Sequence, residues 1–453
     1  MSTKHAANGS AESENKDKPF ELPPDLALSR LDKFLGWIPD RVLAVICLSP
    51  VAAVVFPHLK NPDPDKHGAK LVIMLSIIIS VIVYFATVSL IPYAGQKLIN
   101  KLNGVDLGKL PRQPPIPQSL GLISGTSFLV ALILTETLLP LVAPKFNLRQ
   151  RYDSVMLSIC FSVLLGFADD VMDIKWGHKV RLGLLYSLPL VSSYDGPTSI
   201  LVPVFVRPLI LSQPIQAILS VLHCSTTIDG AILELGVFYL VYIIALTIFC
   251  TNAINIYAGI NGIEVGQSLI VACGIAFIDA WELTFSTSVT SNFNNHLFSL
   301  TVMLPFIATS LGLLKFNWFP AKAFIGDIFP YYAGMTLAST AVLGHYSRSL
   351  LLLLIPQVIN YLYSVPQIFG LVPCPRHRLP NVNPTTKLLE PSRVAPDDPR
   401  SNMTLICAAL RIFGPLRERS LTIVLLIFQI LCTVVFGWIG RFLLSKALFG
   451  FAN

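Results

Sequence analysis

Two adjacent carboxylates, Asp169 and Asp170, close a long apolar run in the stretch FADDVMDIKWGHK, residues 167–179. Acids at a helix C-terminus face the negative end of the macrodipole, so they do nothing for the helix. Ionisable groups at a membrane face are costly and tend to be functional. Paired carboxylates can organise Mg²⁺ or accept a proton, and Lys175 and Lys179 suit an anionic ligand. A second cluster is CTNAINIYAGINGIEVGQS, residues 250–268. Asn252 and Asn255, three apart, share one face of a helix, and a buried amide needs a partner. Asn261-Gly262 then reads as a turn. A third, FNWFPAKAFIGDIFPYYAGM (316–335), holds one acid, Asp327, behind Gly326, with Phe324 offering an aromatic face for a base. The fourth is PCPRHR (373–378), where Arg376, His377 and Arg378 follow a proline-stiffened turn. Arginine is the natural fork for phosphate oxygens. Each cluster alone has a plain alternative: a solvated helix end, amides bonding neighbouring helices, an interfacial cap, or basic residues marking the cytosolic side. Together they suit Mg²⁺-dependent phosphoryl chemistry, with hard oxygen ligands for the metal and cations for phosphate charge.

The elements that must position these groups follow from composition. Of 453 residues only 13% are charged and 53% are hydrophobic, with a mean hydropathy of +0.65. Soluble domains carry about 25% charged residues. A soluble enzyme and a disordered scaffold are both excluded. The net charge of +7 is scattered between apolar runs and is no nucleic-acid footprint. Most of the eight cysteines lie inside apolar runs, as small hydrophobes.

A membrane helix needs about 20 apolar residues. Ten stretches meet or approach this: 71–94, 119–143, 154–168, 180–194, 235–256, 265–286, 297–314, 328–345, 349–371 and 420–445. An eleventh, 42–56, is short and contains Pro50. The runs are too long and uniformly apolar for barrel strands. The expected fold is therefore an all-α polytopic membrane protein of about ten helices, with the 42–56 segment a candidate extra N-terminal one. Residues 1–41 read as a polar disordered tail with no signal peptide. Residues 42–70 form an extra hydrophobic segment and loop, and 71–453 the transmembrane catalytic domain, including loop 372–419.

Alternating passes put connections 95–118, 169–181, 257–264, 315–327 and 372–419 on one side, where all four clusters fall. That set carries the larger share of Lys and Arg, so the positive-inside rule makes it cytosolic. The balance improves further if 42–56 spans. The 195–234 segment, with ILVPVFV between prolines, reads as a lumenal loop with some β character. No internal repeat is evident, which speaks against transporters built of two similar halves.

FADDVMDIKWGHK, CTNAINIYAGINGIEVGQS, AFIGDIFPYYAGM, LGHYSRSLLLLLIPQVINYLYSVPQ and LVPCPRHRLP together resemble the eukaryotic UDP-N-acetylglucosamine–dolichyl-phosphate N-acetylglucosaminephosphotransferases. These are glycosyltransferase family 4 type enzymes of the polyprenyl-phosphate sugar-1-phosphate transferase superfamily. The similarity runs from about residue 70 onward. It implies ten transmembrane helices in the endoplasmic reticulum membrane, a cytosolic active site, Mg²⁺ dependence, tunicamycin sensitivity and a homodimer. It also implies the reaction of UDP-GlcNAc with dolichyl phosphate to UMP and GlcNAc-diphosphodolichol, which opens N-glycan assembly.

The resemblance assigns roles residue by residue. Asn255 and Asp327 become the Mg²⁺ ligands. Asp169 and Asp170 become the acidic pair at the reaction centre. Lys179 and the run Ile248, Phe249, Cys250, Thr251, Asn252, Ala253, Ile254, Asn255, Ile256 become the lipid-phosphate site. Asn261 and the loop Val105, Asp106, Leu107 line the uridine pocket, with Phe324 stacking on the base. Arg376, His377 and Arg378 grip the diphosphate and the N-acetylated sugar. One departure is plain: PPIPQSLG carries Gln118 where the family has a glutamate.

Overall fold

The computed structural model describes residues 30–37, 40–60, 66–104, 115–286, 290–375, 378–395 and 398–439. Backbone amides in hydrocarbon must be satisfied within the segment, so apolar runs of this length become helices. An amphipathic helix α1 (Arg30–Trp37) precedes α2 (Asp40–Lys60) and the long α3 (His67–Leu98). A two-residue pair, β1 (Asn103–Gly104) against β2 (Ile116–Pro117), leads into α4 (Gly121–Val142), α5 (Arg149–Met172) and α6 (Trp176–Ser192). The 195–234 loop folds as expected into a small antiparallel sheet. It is made of β3 (Ser199–Leu201), the short helices α7 (Arg207–Ile210) and α8 (Gln213–Val221), β4 (Ser225–Thr226) and β5 (Ile232–Glu234). Then come α9 (Val237–Ile256), α10 (Ile263–Phe285), α11 (Ser291–Asn317) and α12 (Ile328–Leu343).

The expected 349–371 helix is broken into α13 (Ser347–Leu353) and α14 (Ile355–Ile368). Pro356 is the cause: it lacks an N–H and starts a new helix at its first turn. A hairpin, β6 (Asn381–Val382) and β7 (Leu389–Glu390), precedes α15 (Leu405–Phe413) and α16 (Glu418–Cys432), which continues as a π-helix over Thr433–Ile439. Among the described residues, every apolar run picked out of the sequence falls on helical segments. Seven of the described helices are long and apolar enough to cross a membrane, rather than ten. The difference lies in α6, α12 and the broken α13–α14 pair, all shorter than 18 residues.

Contacts sort the connections into two ends. At one end Gln118 pairs with Leu102, Phe324 with Pro117, and Asp327 with Asp170, while Asn261 meets Glu418. At the other, Arg151 reaches Asn295 and Asp195, and Asp195 faces His345. Helix α2 connects the two. Its near neighbour α1 docks on Arg417 and Arg419, whereas Lys66 just beyond α2 donates to the carbonyls of Leu283 and Ser286 at the far end of α10. With 21 residues, α2 is about 31 Å long, so it runs the full thickness of the bundle.

At the centre stands α12, all sixteen residues of which are buried. Without a hydrophobic force between helices in lipid, close packing relies on small residues. A Cβ on Gly121 of α4 would lie 2.5 Å from the Ile325 carbonyl oxygen, and one on Gly166 of α5 2.5 Å from Ile328 Cα. From the α12 side, a Cβ on Gly334 would meet Thr251 of α9 at 2.5 Å. These approaches fix where the N-terminal end of α12 lies.

Candidate active site

Helix α5 ends in a left-handed residue, Asp173, whose N–H caps the Asp169 carbonyl. Aspartate tolerates that conformation better than most residues. The resulting tight turn brings α6 straight back, so Lys179 reaches Asp169, Nζ to Oδ2 at 2.5 Å. The same ammonium contacts Asp327 Oδ2 at 3.2 Å. Asp169 also accepts from the Ile174 amide at 3.1 Å and the Tyr331 hydroxyl at 3.4 Å. Asp170 Oδ1 accepts the Asp327 amide at 2.7 Å, pinning the first turn of α12. The Ser119 hydroxyl bonds the same carboxyl group. Gly326, with φ +66°, makes the turn into Asp327; a Cβ there would strike Asp170 Oδ2 at 2.0 Å. Two carboxylates 158 positions apart, Asp169 and Asp327, thus share one lysine, while Asp170 holds the Asp327 amide.

Next to this cluster lies a cavity of about 260 Å³, lined by Asn255, Asn261, Phe324, Gly326, Asp327 and Leu379 among others. The residues assigned to the metal and to the uridine therefore share one space. Phe324 is set by its backbone: its N–H donates to the Pro117 carbonyl and its carbonyl accepts from Leu120. A Cβ on Gly104 would lie 3.1 Å from the Phe324 ring and 3.3 Å from Gln118 Oε1. Gln118 therefore stands beside the Phe324 ring, at the root of the loop that follows Gly104. Val105, Asp106 and Leu107 in that loop lie outside the described residues, as do Arg376 and His377.

Arg378 is described. It is partly buried, with Nη1 lacking a hydrogen-bond partner, and burial lowers its pKa. The neighbouring Leu379 packs over Gly259, so this segment closes over the 257–262 turn. The surrounding loop is tied to one face of α14. Gln367 bonds Asn402 and Met403, Ser364 donates to the Met403 carbonyl, and Asn360 accepts from Leu405.

The run assigned by resemblance to the lipid phosphate divides between two faces of α9. Residues 248–256 form a helix, so they cannot present one surface. Cys250, Thr251, Ala253 and Ile254 turn into the bundle core and are at most 1% exposed, with Thr251 bonded to Tyr186. Ile248, Phe249, Asn252, Asn255 and Ile256 remain half-buried. Ile248 packs where Gly183 of α6 leaves room, one turn beyond Lys179.

Among the described residues no three His, Cys, Asp or Glu side chains are grouped to hold a metal. The cavity instead offers the Asn255 amide and the Asp327 carboxylate, both hard oxygen donors. Mg²⁺ commonly takes one or two carboxylates and fills its shell with water and substrate phosphate, so this donor set fits it.

Sequence reasoning passed over Gly166, Tyr331, Asn317 and Glu418. Asn317 bridges the Gly262 amide at 3.1 Å and the Ala323 carbonyl at 3.1 Å, joining the asparagine turn to the Phe324 segment. Glu418 bonds the Asn261 amide. Only an acid at the head of the last apolar run hinted at it.

The family model of glycosyl transferase family 4 matches residues 152–345. That span contains Asp169, Asp170, Lys179, Asn255, Asn261, Phe324 and Asp327. Over 348 residues the chain is 42% identical to the UDP-N-acetylglucosamine–dolichyl-phosphate N-acetylglucosaminephosphotransferase of Dictyostelium discoideum, covering 74% of this chain and 80% of that one. The enzyme of the same name from Schizosaccharomyces pombe is 35% identical, with 80% and 90% covered. That of Saccharomyces cerevisiae is 31% identical, with 91% and 99% covered.

Proposed function

Because this chain belongs to glycosyl transferase family 4, among the UDP-N-acetylglucosamine–dolichyl-phosphate N-acetylglucosaminephosphotransferases, we propose that it transfers GlcNAc-1-phosphate from UDP-GlcNAc to dolichyl phosphate. The products are UMP and GlcNAc-diphosphodolichol. One observation carries the reading: the cavity lined by Asn255, Asn261, Phe324 and Asp327 opens beside the Asp169–Lys179–Asp327 chain. A nucleotide diphosphate and an acceptor phosphate can meet there.

The reaction is an in-line displacement. An oxygen of dolichyl phosphate attacks the phosphorus bearing GlcNAc, and UMP leaves with the electron pair of the broken P–O bond. A phosphate monoester has a second pKa near 6, so at neutral pH the acceptor is largely a dianion and needs little help from a base. The geometry agrees, since Asp169 already accepts from Lys179, Ile174 and Tyr331, and Asp170 from the Asp327 amide. Both act by position and charge, which carry most phosphoryl transfer. In this reading Lys179, beside Asp169 and Asp327, would meet the acceptor phosphate, Phe324 and Asn261 the base, and Arg378 the diphosphate. Asn255 and Asp327 would hold Mg²⁺, which supplies charge neutralisation at the leaving phosphate.

The site end of the bundle is the one with the greater share of basic connections, which supports a cytosolic site. In this reading α2, which runs the bundle's thickness, adds one pass before α3. Residence in the endoplasmic reticulum membrane and a homodimer rest on the family resemblance. The test is a purified-protein assay crossing UDP-sugars with dolichyl and undecaprenyl phosphates. UMP release that requires UDP-GlcNAc and dolichyl phosphate is expected; none with that pair would overturn the assignment.

A further inference from the structure

Asn261 is held from far outside its own motif. Its amide N–H donates to Glu418 Oε1 at 2.6 Å, and its carbonyl accepts from Thr422 Oγ1 at 3.1 Å. The first turn of α16 therefore grips both sides of the Asn261 peptide. Glu418 is only 5% exposed, so this is a buried, charge-assisted contact. Helix α1 packs on that turn. Asp32, 1% exposed, accepts from the Arg417 amide at 3.3 Å and pairs with Arg417 Nε at 3.3 Å. Arg419 Nη1 donates to the Leu35 carbonyl at 3.1 Å. Arg417 and Arg419 flank Glu418, so α1 holds the backbone N–H on one side and the guanidinium on the other side of the residue that holds Asn261. Asp32 and Leu35 share one face of α1, as residues three apart must, and both are buried against α16.

We propose that α1 is a positioning element for the sugar-nucleotide pocket, with Asp32 setting affinity for UDP-GlcNAc through Arg417, Glu418 and Asn261. The inference rests on the assignment of Asn261 to the nucleotide site. It gives a segment before the recognised catalytic region a part in substrate binding. Asp32 touches no substrate and acts only through α16. Lys179 on α6 is held instead by Asp169 and Asp327, through contacts separate from this relay.

The test uses the full chain in detergent micelles, with each substrate varied at saturation of the other and UDP binding followed by calorimetry. Asp32→Asn should raise the KM for UDP-GlcNAc and weaken UDP binding by about threefold to tenfold, the scale of coupling through a packed network. The KM for dolichyl phosphate should stay as in wild type. The charge-reversed pair, Asp32→Arg with Arg417→Asp, should restore much of the loss. Thr422→Val, which leaves α1 untouched, should shift the same constant, and Arg419→Met, which removes the donor to the Leu35 carbonyl of α1, serves if Asp32 variants fold poorly. Unchanged UDP-GlcNAc KM and UDP affinity, or both substrates' KM rising together with a fallen melting temperature, would overturn the proposal. No turnover by wild-type protein would instead remove the functional assignment, and UDP calorimetry would still decide the relay.

Discussion

Replacing Gly166 by alanine tests whether the spacing of α5 and α12 sets the reaction centre. The new methyl carbon would lie 2.5 Å from Ile328 Cα, 3.0 Å from its nitrogen and 3.2 Å from the Asp327 carbonyl carbon. All three are backbone atoms, so no rotamer change relieves the contact. Carbon atoms rest about 3.5–4.0 Å apart, so the helices must part by roughly 1 Å at this level. Asp327 is joined to α5 by the 2.7 Å bond to Asp170 and to α6 by the 3.2 Å contact with Lys179. A displacement of 1 Å takes both beyond bonding distance. Overpacking costs about 1–3 kcal/mol of stability, and a 1 Å misplacement of reacting groups costs about 100-fold in rate. Gly177→Ala, with nothing within 4 Å of the added carbon, is the control for the intrinsic helix gain of about 0.5–1 kcal/mol. The assay is UMP release with purified protein alongside thermal unfolding in detergent. Gly166→Ala should lose about two orders of magnitude in kcat while remaining folded, with Gly177→Ala near wild type. Full turnover by Gly166→Ala would refute the argument that helix spacing places Asp327.

Asp327→Ala and Asn255→Ala should each lose most turnover while staying folded in detergent; normal activity in both would remove the metal assignment. Arg378→Ala removes a charged donor worth about 1.5–3 kcal/mol, so use of UDP-GlcNAc should weaken about tenfold or more, read as KM. Asn402 lies in a formal N-glycosylation sequon, yet its side chain bonds Gln367, Ser392 and Arg393 inside the loop. Mass spectrometry should find it without a glycan, and a glycan there would put the arginine segment on the lumenal side. Burial first, and then Arg151, hold the His345 pKa below the usual histidine value against the pull of Asp195. The neutral ring is the folded form, so its stability is fully present above the usual value and lost as pH falls through the depressed one. His345→Asn, which suits the left-handed backbone there, should flatten that acid limb of the melting curve.

The helices were legible because apolar runs in a membrane have one outcome, and the side bearing the chemistry was legible because the passes alternate. Convergence of Asp169, Asp170, Asn255 and Asp327 rested on motif resemblance; no spacing rule joins positions so far apart. The 248–256 run was read as a line, whereas a helix turns four of its nine side chains into the core. Gly166 and Gly326 were visible as glycines, but what opposes them belongs to the tertiary structure. Glu418 and Asp32 were beyond reach for the same reason: their partners lie 157 and 385 positions away.

The short central helix also decides how deep the chemistry lies. Sixteen residues make about 24 Å, against a hydrocarbon layer about 30 Å thick. Buried on every side, α12 never meets lipid, so its shortness draws no thinning from the bilayer. The shortfall is filled by the turns at its ends, including the polar backbone from Phe324 to Asp327. Such backbone is tolerated at membrane depth only where protein surrounds it or an aqueous cavity wets it. At the Phe324–Asp327 end the cavity lined by Asn255, Asn261 and Asp327 supplies that opening.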